Sequence, residues 1–187
     1  RNDTMTTTTA EDEHKLAPFN PSCDQAQENA IEMMKLKSDD VLFDLGCGDG
    51  RILIKAAQNL PGLRCVGIEL DAKYVDRGQK MLEEATSDVA ERVDMRVGSV
   101  LDPEVQNGGD LSLEKDATAI FLYILPKGMV RLQPYLEELV RKREGIRIAA
   151  YMFSLRGWEP VSVDRATKGE CPIYLYDVTS LPANNKK

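Results

Sequence analysis

The sequence is short of histidine and of paired cysteines, and each shortage argues against a class of site. It contains one histidine, His14, which argues against a histidine-based triad or general base. Its four cysteines, at positions 23, 47, 65 and 171, have neither the CxxC spacing of a zinc site nor the pattern of a disulfide framework. We therefore expect an intracellular chain without a metal, in the cytoplasm or, as the alternative, in the mitochondrion.

Long apolar runs and an excess of positive charge are missing as well. The longest strongly apolar stretch, Ala119 to Leu125, is much shorter than the about 20 residues that cross a bilayer, so no membrane span is expected. Lys and Arg number 24 against 31 Asp and Glu, a formal net charge of −7. Because nucleic-acid binding needs clustered Lys and Arg, we expect no nucleic-acid partner. A basic protein segment fits this charge better.

The chain does have enough apolar residues for one enzyme-sized domain. Its 187 residues are 42% hydrophobic, which is sufficient for a substantial core. We predict a domain over residues 16–182, preceded by a Thr-rich, acidic and disordered leader over 1–15 and followed by a polar tail over 183–187. The oligomeric state stays open.

Hydrophobic periodicity predicts that strands and helices alternate. Apolar runs predict strands at 41–43, 64–69, 93–97, 117–124 and 146–152. Helical spacing predicts amphipathic helices near 26–34, 51–60, 75–85 and 132–140. This βαβ alternation indicates a mostly parallel sheet.

Two parts of the chain depart from that alternation. The segments 158–163 and 173–178 are strand-like and have no helix between them, so they predict an antiparallel hairpin at the edge of the sheet. The stretch 102–116, which contains Asn107-Gly108-Gly109-Asp110, is predicted to be a flexible surface insertion before the fourth strand.

The most informative motif is a glycine-rich turn directly after the first predicted strand. It consists of Asp44, Leu45, Gly46, Cys47, Gly48, Asp49 and Gly50. Glycines at alternate positions permit backbone conformations closed to other residues and bring bare amides against a bound molecule. The spacing Gly-x-Gly-x-Gly differs from the Gly-x-Gly-x-x-Gly of dinucleotide sites. We interpret the turn as a site for S-adenosylmethionine, in which Cys47 is needed as a small residue.

Carboxylates around the turn support this interpretation. Glu69 ends the second predicted strand, where it can accept both ribose hydroxyls, but NAD sites carry an acidic residue at this distance too. Asp44 separates the two cofactors, since a carboxylate attracts the amino-acid moiety of S-adenosylmethionine and repels a pyrophosphate. We assign Glu69, Leu70 and Asp71 to the cofactor site as its second motif.

The two motifs resemble those of class I S-adenosylmethionine-dependent methyltransferases. A narrower resemblance, to archaeal-type protein lysine methyltransferases and their mitochondrial relatives, is carried by residues 18–22, 44–52, 121–123, 157–160 and 173–178. The resemblance implies an α/β, doubly wound, seven-stranded Rossmann-like sheet, mostly parallel with a C-terminal antiparallel hairpin. It also places Ser99, Val100 and Phe121 at the cofactor. Ser99 stands where many methyltransferases carry an Asp that contacts the adenine amino group.

Methyl transfer to lysine sets requirements that two tyrosines meet. The lysine must be neutral to attack, although its ordinary pKa is about 10.4, so its site should be narrow, apolar and close to the sulfonium. Tyr123 at the end of the fourth strand and Tyr151 near the end of the fifth lie where such folds place their chemistry. We take both as the catalytic residues, with packing within the sheet as their alternative role.

Three hypotheses about function follow. The first is an enzyme that uses S-adenosylmethionine, yields S-adenosylhomocysteine, and methylates a lysine of a partner protein. The second is a small-molecule N- or O-methyltransferase, which would need lid helices that residues 102–116 scarcely supply. The third is a catalytically silent cofactor-binding module. A dehydrogenase would be revealed by NAD binding.

Overall fold

The computed structural model describes residues 21–167, 169 and 171–182. The predicted leader and polar tail lie outside the described residues. The helices are α1 (Asp24–Met34), α2 (Arg51–Asn59), α3 (Ala72–Glu83), α4 (Ser87–Arg92), α5 (Pro103–Asn107), α6 (Leu113–Asp116) and α7 (Pro126–Lys142), and Val178–Ser180 forms a 3-10 turn. The strands are β1 (Val41–Leu45), β2 (Arg64–Glu69), β3 (Val93–Val97), β4 (Ala119–Leu122), β5 (Arg147–Tyr151), β6 (Ser162–Asp164) and β7 (Ile173–Tyr176).

The strands form one seven-stranded sheet in the order β3-β2-β1-β4-β5-β7-β6. The first five pair in parallel, and β7 pairs antiparallel with both β5 and β6. The chain winds away from the centre in opposite directions after β1 and after β4. In doubly wound sheets, ligands bind beyond the carboxyl ends of the strands at such a switch point. The predicted fold and its C-terminal hairpin are confirmed.

The central strands are apolar throughout because both faces of the sheet are covered. All five residues of β1 and all four of β4 are buried. Along β1, Phe43 packs into the core that α7 covers, while its neighbour Leu42 packs into the core formed with α1 and α2. The predicted helical faces are likewise buried, as Ala30 of α1, Leu82 of α3 and Leu136 of α7 show.

The hairpin strand β6 is shorter than predicted. The expected strand at 158–163 pairs with β7 from Ser162 onward. Gly157 has a positive φ of 76° and Pro160 has no backbone N–H to donate to a ladder. Trp158 turns into the core instead, where its ring meets that of Tyr176 edge-on at 5.9 Å. Trp158 is thus a core residue that precedes β6.

The prediction of a surface insertion at 102–116 is wrong. The stretch forms α5 and α6, and Leu111 before α6 and Leu113 at its start are buried in the core on the α7 face. The guanidinium of Arg96 on β3 donates to the backbone carbonyls of Val105, Gln106 and Leu111 at 2.7 to 3.3 Å. The glycines of residues 102–116 suggested a loop, but the two leucines and Arg96 hold this segment on the sheet.

Candidate active site

The glycine turn requires glycine because of its backbone conformation. Gly46, Gly48 and Gly50 have φ values of 90°, 56° and 67°, all in the region that favours residues without a side chain. The turn is closed by the Gly50 amide, which donates to the Cys47 carbonyl at 2.9 Å. The amides of Gly46 and Cys47 donate to the Ile68 carbonyl, at 2.8 and 3.1 Å. The turn is therefore attached to the end of β2.

Cys47 packs inside the turn against β2. A Cβ atom at Gly67 would lie 2.7 Å from the Cys47 Sγ. The strand can therefore pack this close to the turn only because residue 67 is glycine. Burial, followed by the negative charges of Asp44 and Glu69, raises the pKa of the Cys47 thiol well above its usual value. A neutral, enclosed thiol is a packing residue. Gly67 has a signal in the sequence, because an isolated glycine within a strand indicates a bulge or a close approach of another part of the chain.

Glu69 is held at the site by two backbone amides. Its Oε2 accepts from the Gly48 amide and its Oε1 from the Asp71 amide, both at 3.0 Å. Asp71 in turn caps α3 by accepting from the Lys73 amide at 3.2 Å, and Leu70 lies half-buried between the two acids. Each Glu69 oxygen retains a second acceptor position. This geometry fits a ligand with two adjacent hydroxyls, as a ribose has.

Asp44 is a buried carboxyl at the carboxyl end of β1, with 3% of its surface exposed. Burial raises the pKa of Asp44 well above its usual value, and the negative charges of Glu69 and Asp49 raise it further. A cation beside it would favour the ionised form. The ammonium of S-adenosylmethionine is such a cation, so the site fits this cofactor.

Asp49, predicted at the cofactor, is bound by arginines of the protein. Its carboxylate accepts from the Arg51 Nε at 2.8 Å and from the Arg51 Nη2 at 2.7 Å, and the Arg77 Nε lies 3.5 Å away. Burial raises the pKa of Asp49, but the Arg51 hydrogen bonds and charge outweigh it and hold the pKa below its usual value. The ion pair joins the turn to α2 and α3. A contact with the cofactor stays a prediction.

The segment after β3 is brought next to Glu69. The Gly98 amide donates to the Glu69 carbonyl at 2.9 Å, which places Ser99 and Val100 beside the second motif. The Ser99 Oγ accepts from the Leu101 amide at 3.2 Å, and the buried Gln106 side chain donates to the Val100 carbonyl at 2.5 Å. The cofactor role of both residues remains a prediction.

Phe121 lies within β4 and is buried in the core on the α1 face. It belongs to the same packed cluster as Cys47 of the turn and Tyr151 of β5. The residue therefore packs beneath the site, and its predicted contact with the cofactor is untested.

Tyr123 and Tyr151 meet at the carboxyl ends of β4 and β5. Their ring centroids are 4.8 Å apart and the rings meet edge-on at 63°. The Tyr123 hydroxyl donates to the Sδ of Met152 at 3.4 Å. Burial, with the Cys23 and Cys171 thiols nearby, raises the pKa of Tyr151 above its usual value. A neutral Tyr151 hydroxyl does not act as a base, and the catalytic role of both tyrosines stays a prediction.

Comparison with known proteins identifies the family. Residues 44–162, more than half of the chain, match the family model described as the ANTKMT methyltransferase domain. The chain belongs to the ANTKMT methyltransferase family. The matched segment of this ANTKMT domain begins at Asp44 and contains the glycine turn, Glu69 and Tyr151. The chain is accordingly an S-adenosylmethionine-dependent methyltransferase, as its motifs predicted.

Relatives of this ANTKMT domain act on different classes of molecule. A protein-lysine N-methyltransferase of Saccharolobus islandicus is 27% identical over 161 residues, covering 85% of this chain and 92% of the relative. An RNA methyltransferase from Salinibacter ruber, solved with S-adenosyl-L-homocysteine, has a TM-score of 0.74 at 28% identity and covers 90% of this chain and 100% of its own. A precorrin-6y C5,15-methyltransferase from Geobacter metallireducens, at 19% identity, has a TM-score of 0.60, covers 88% and 92%, and shares the fold.

Two further findings concern metals and membranes. Within residues 21–167, 169 and 171–182, no group of three or more His, Cys, Asp or Glu side chains is placed to hold a metal ion. No helix in this part of the chain is both long and apolar enough to cross a membrane.

Proposed function

We propose that the chain transfers a methyl group from S-adenosylmethionine to the side-chain nitrogen of a lysine in a protein. The observation that carries this proposal is the contact between Tyr123 and Tyr151, whose ring centroids lie 4.8 Å apart at the carboxyl ends of β4 and β5, on the same edge of the sheet as the glycine turn. A narrow aromatic site suits the unbranched, apolar stem of lysine. The protein-lysine N-methyltransferase of Saccharolobus islandicus, similar over most of both chains, supports the same acceptor.

The residues of the site divide the work of binding the cofactor. Asp44 attracts the ammonium, Gly46, Gly48 and Gly50 let the ligand approach the backbone because they carry no side chain, and Glu69 accepts the ribose hydroxyls. Leu70, Asp71, Ser99, Val100 and Phe121 complete the expected contacts. When bound, S-adenosylmethionine supplies a methyl group activated by its sulfonium.

The two tyrosines prepare the acceptor. Their rings exclude water, which disfavours the charged form of lysine and lowers the pKa of its ammonium from about 10.4. They also hold the nitrogen in line with the methyl group, and alignment is the main contribution that a protein makes to such a displacement. The proton that the ammonium loses goes to water, because burial raises the pKa of Tyr151 and keeps its hydroxyl neutral.

A methyl-transfer assay on the extract of the source organism tests the proposal. The chain is incubated with radiolabelled S-adenosylmethionine and the extract, and protein, RNA and small molecules are separated. We expect label on discrete protein bands, on lysine by mass spectrometry, lost in Asp44→Ala and retained in the matched control Asp39→Ala, since Asp39 is exposed. Label confined to RNA or to small molecules would overturn the lysine assignment. Calorimetric binding of S-adenosylhomocysteine without any label would indicate the silent module.

A further inference from the structure

Met152, the residue after β5, has an unusual backbone conformation. Two non-glycine residues in the described part of the chain have a positive φ, Lys35 at 47° and Met152 at 72°. Lys35 ends α1, a position where the left-handed conformation is common. Met152 ends a strand, so helix termination does not explain its conformation. A side-chain-bearing residue in this region is strained.

Hydrogen bonds on both sides of Met152 hold this conformation. The Met152 amide donates to the Pro172 carbonyl at 2.7 Å, which extends the pairing of β5 with β7. The Phe153 amide donates to the Tyr151 carbonyl at 2.9 Å, so residues 151–153 form a γ-turn. With a positive φ at its centre, this is the rare and strained form of the γ-turn. Strain of this kind persists where the surroundings over-determine it, and it concentrates at functional sites.

The strained turn directs the Met152 side chain at Tyr123. The Met152 Sδ lies 3.4 Å from the Tyr123 Oη. A thioether has no proton, so the tyrosine is the donor in this hydrogen bond. With its proton directed at Sδ, Oη serves any further neighbour as an acceptor. The Tyr123 ring also contacts the Tyr151 ring, at 4.8 Å between centroids.

We propose that Met152 is a positioning residue for methyl transfer, which holds the Tyr123 hydroxyl so that its oxygen accepts a hydrogen bond from the acceptor nitrogen. The inference rests on the proposed function in taking that nitrogen from a lysine. The nitrogen gains positive charge as its bond to the methyl carbon forms and the carbon–sulfur bond breaks, with the electron pair remaining on sulfur. A hydrogen bond from its N–H to Oη strengthens as this charge develops. Met152 therefore affects kcat more than KM.

A double-mutant cycle tests the connection between Met152 and Tyr123. Met152→Leu keeps the volume and removes the sulfur acceptor. With radiolabelled S-adenosylmethionine and poly-L-lysine, we expect kcat to fall about fivefold to tenfold, with KM for poly-L-lysine and calorimetric Kd for S-adenosylhomocysteine changed less than about twofold. In the Tyr123→Phe background the same substitution should cause no further loss. The matched control Met81→Leu, on α3, should retain wild-type kcat.

A pair of variants tests the strain separately from activity. Met152→Ala and Met152→Gly both remove the sulfur, and they differ in the Cβ atom at a φ of 72°. We expect Tm to be about 2–6 °C higher for the glycine variant than for the alanine variant, because glycine adopts positive φ without strain.

Several results would overturn the inference, and they differ from a failure of the proposed function. Losses that add in the double mutant would show that Met152 does not act through the Tyr123 hydroxyl, and an unchanged kcat in Met152→Leu would show that it does not act at all. Equal Tm values for the alanine and glycine variants would show that the backbone at Met152 is not strained. A wild-type chain that labels neither poly-L-lysine nor extract proteins would refute the proposed function, and the Tm comparison would still decide the strain.

Discussion

At the scale of the residue, we expect Asp44 to be unfavourable for folding and favourable for binding. Its carboxyl is buried beside Glu69 and Asp49, and burial is the largest cause of its raised pKa. We predict that Asp44→Asn raises Tm by about 2–4 °C, because about 1 kcal/mol of charge burial is relieved in a domain of this size. The same change should weaken S-adenosylhomocysteine binding at least about tenfold, since one charged hydrogen bond contributes about 1.5–3 kcal/mol. Thermal unfolding and calorimetry measure the two effects, with Asp39→Asn as the control.

The raised pKa of Asp44 also predicts a pH dependence with a definite sign. Between the ordinary aspartate pKa and the folded value, the folded chain holds a proton that the unfolded chain has released, so stability falls as pH rises through that window. Binding of a ligand's ammonium beside Asp44 has the opposite dependence, because it requires the ionised carboxylate. We expect the affinity for S-adenosylhomocysteine to fall as pH is lowered from 8 towards the folded pKa of Asp44, and to be flatter in Asp44→Asn. Parallel profiles for both chains would contradict this role.

At the scale of the element, α3 touches the glycine turn through a residue without a side chain. A Cβ atom at Gly78 would lie 2.7 Å from the Asp49 carbonyl oxygen and 2.6 Å from the Met95 Cε. Alanine normally stabilises a helix interior relative to glycine by about 1 kcal/mol. We predict that Gly78→Ala instead lowers the free energy of unfolding by about 1–3 kcal/mol and weakens S-adenosylhomocysteine binding, because the Asp49 backbone must move. Denaturant unfolding checks this, with exposed Gln79→Ala on the same helix as control.

The segment 102–116 depends on an arginine from β3. The Arg96 guanidinium donates hydrogen bonds to three backbone carbonyls of that segment and also forms an ion pair with Asp94 at 2.7 Å. We predict that Arg96→Ala lowers the free energy of unfolding by about 2–3 kcal/mol, since buried carbonyls lose a charged donor. Denaturant unfolding measures the loss, and Arg64→Ala, at an exposed position of β2, should change stability by less than about 0.5 kcal/mol. Equal effects at both positions would contradict the anchoring role.

Elements with a regular period were predictable from sequence, and elements held by single long-range contacts were not. The helical faces of α1, α3 and α7 and the apolar runs of β1 and β4 are repeated patterns that report burial directly. Residues 102–116 have no such repeat, and the decisive contacts come from Arg96. The start of β6 was misplaced because Trp158 is strand-like in composition but packs into the core beyond the ladder.

At the scale of the whole molecule, sequence predicts which edge of the sheet carries the candidate residues better than it predicts their contacts. The turn, Glu69 and the tyrosine pair are brought to one edge of the sheet by the parallel strands, which topology alone requires. The hydrogen bond from Arg51 to Asp49 and the γ-turn at Met152 depend on local geometry that the spacing of residues in the sequence does not predict. The order of the strands therefore determines which edge of the sheet carries the site. The packing of side chains determines which carboxylates pair with arginines of the protein and which can bind a ligand.

The net charge of −7 gives the whole molecule a field that favours basic acceptors. We predict that kcat/KM for poly-L-lysine falls about fivefold to tenfold between about 20 mM and 300 mM NaCl, because the Debye length shrinks from about 20 Å to about 6 Å. Steady-state rates with radiolabelled S-adenosylmethionine measure this. The calorimetric affinity for S-adenosylhomocysteine should change less than about twofold over the same range, since its proposed contact with the buried Asp44 lies where solvent ions screen little. If kcat/KM were independent of salt, the acceptor would be recognised by contacts at the tyrosine pair alone, and the acidic surface would have no part in selecting it.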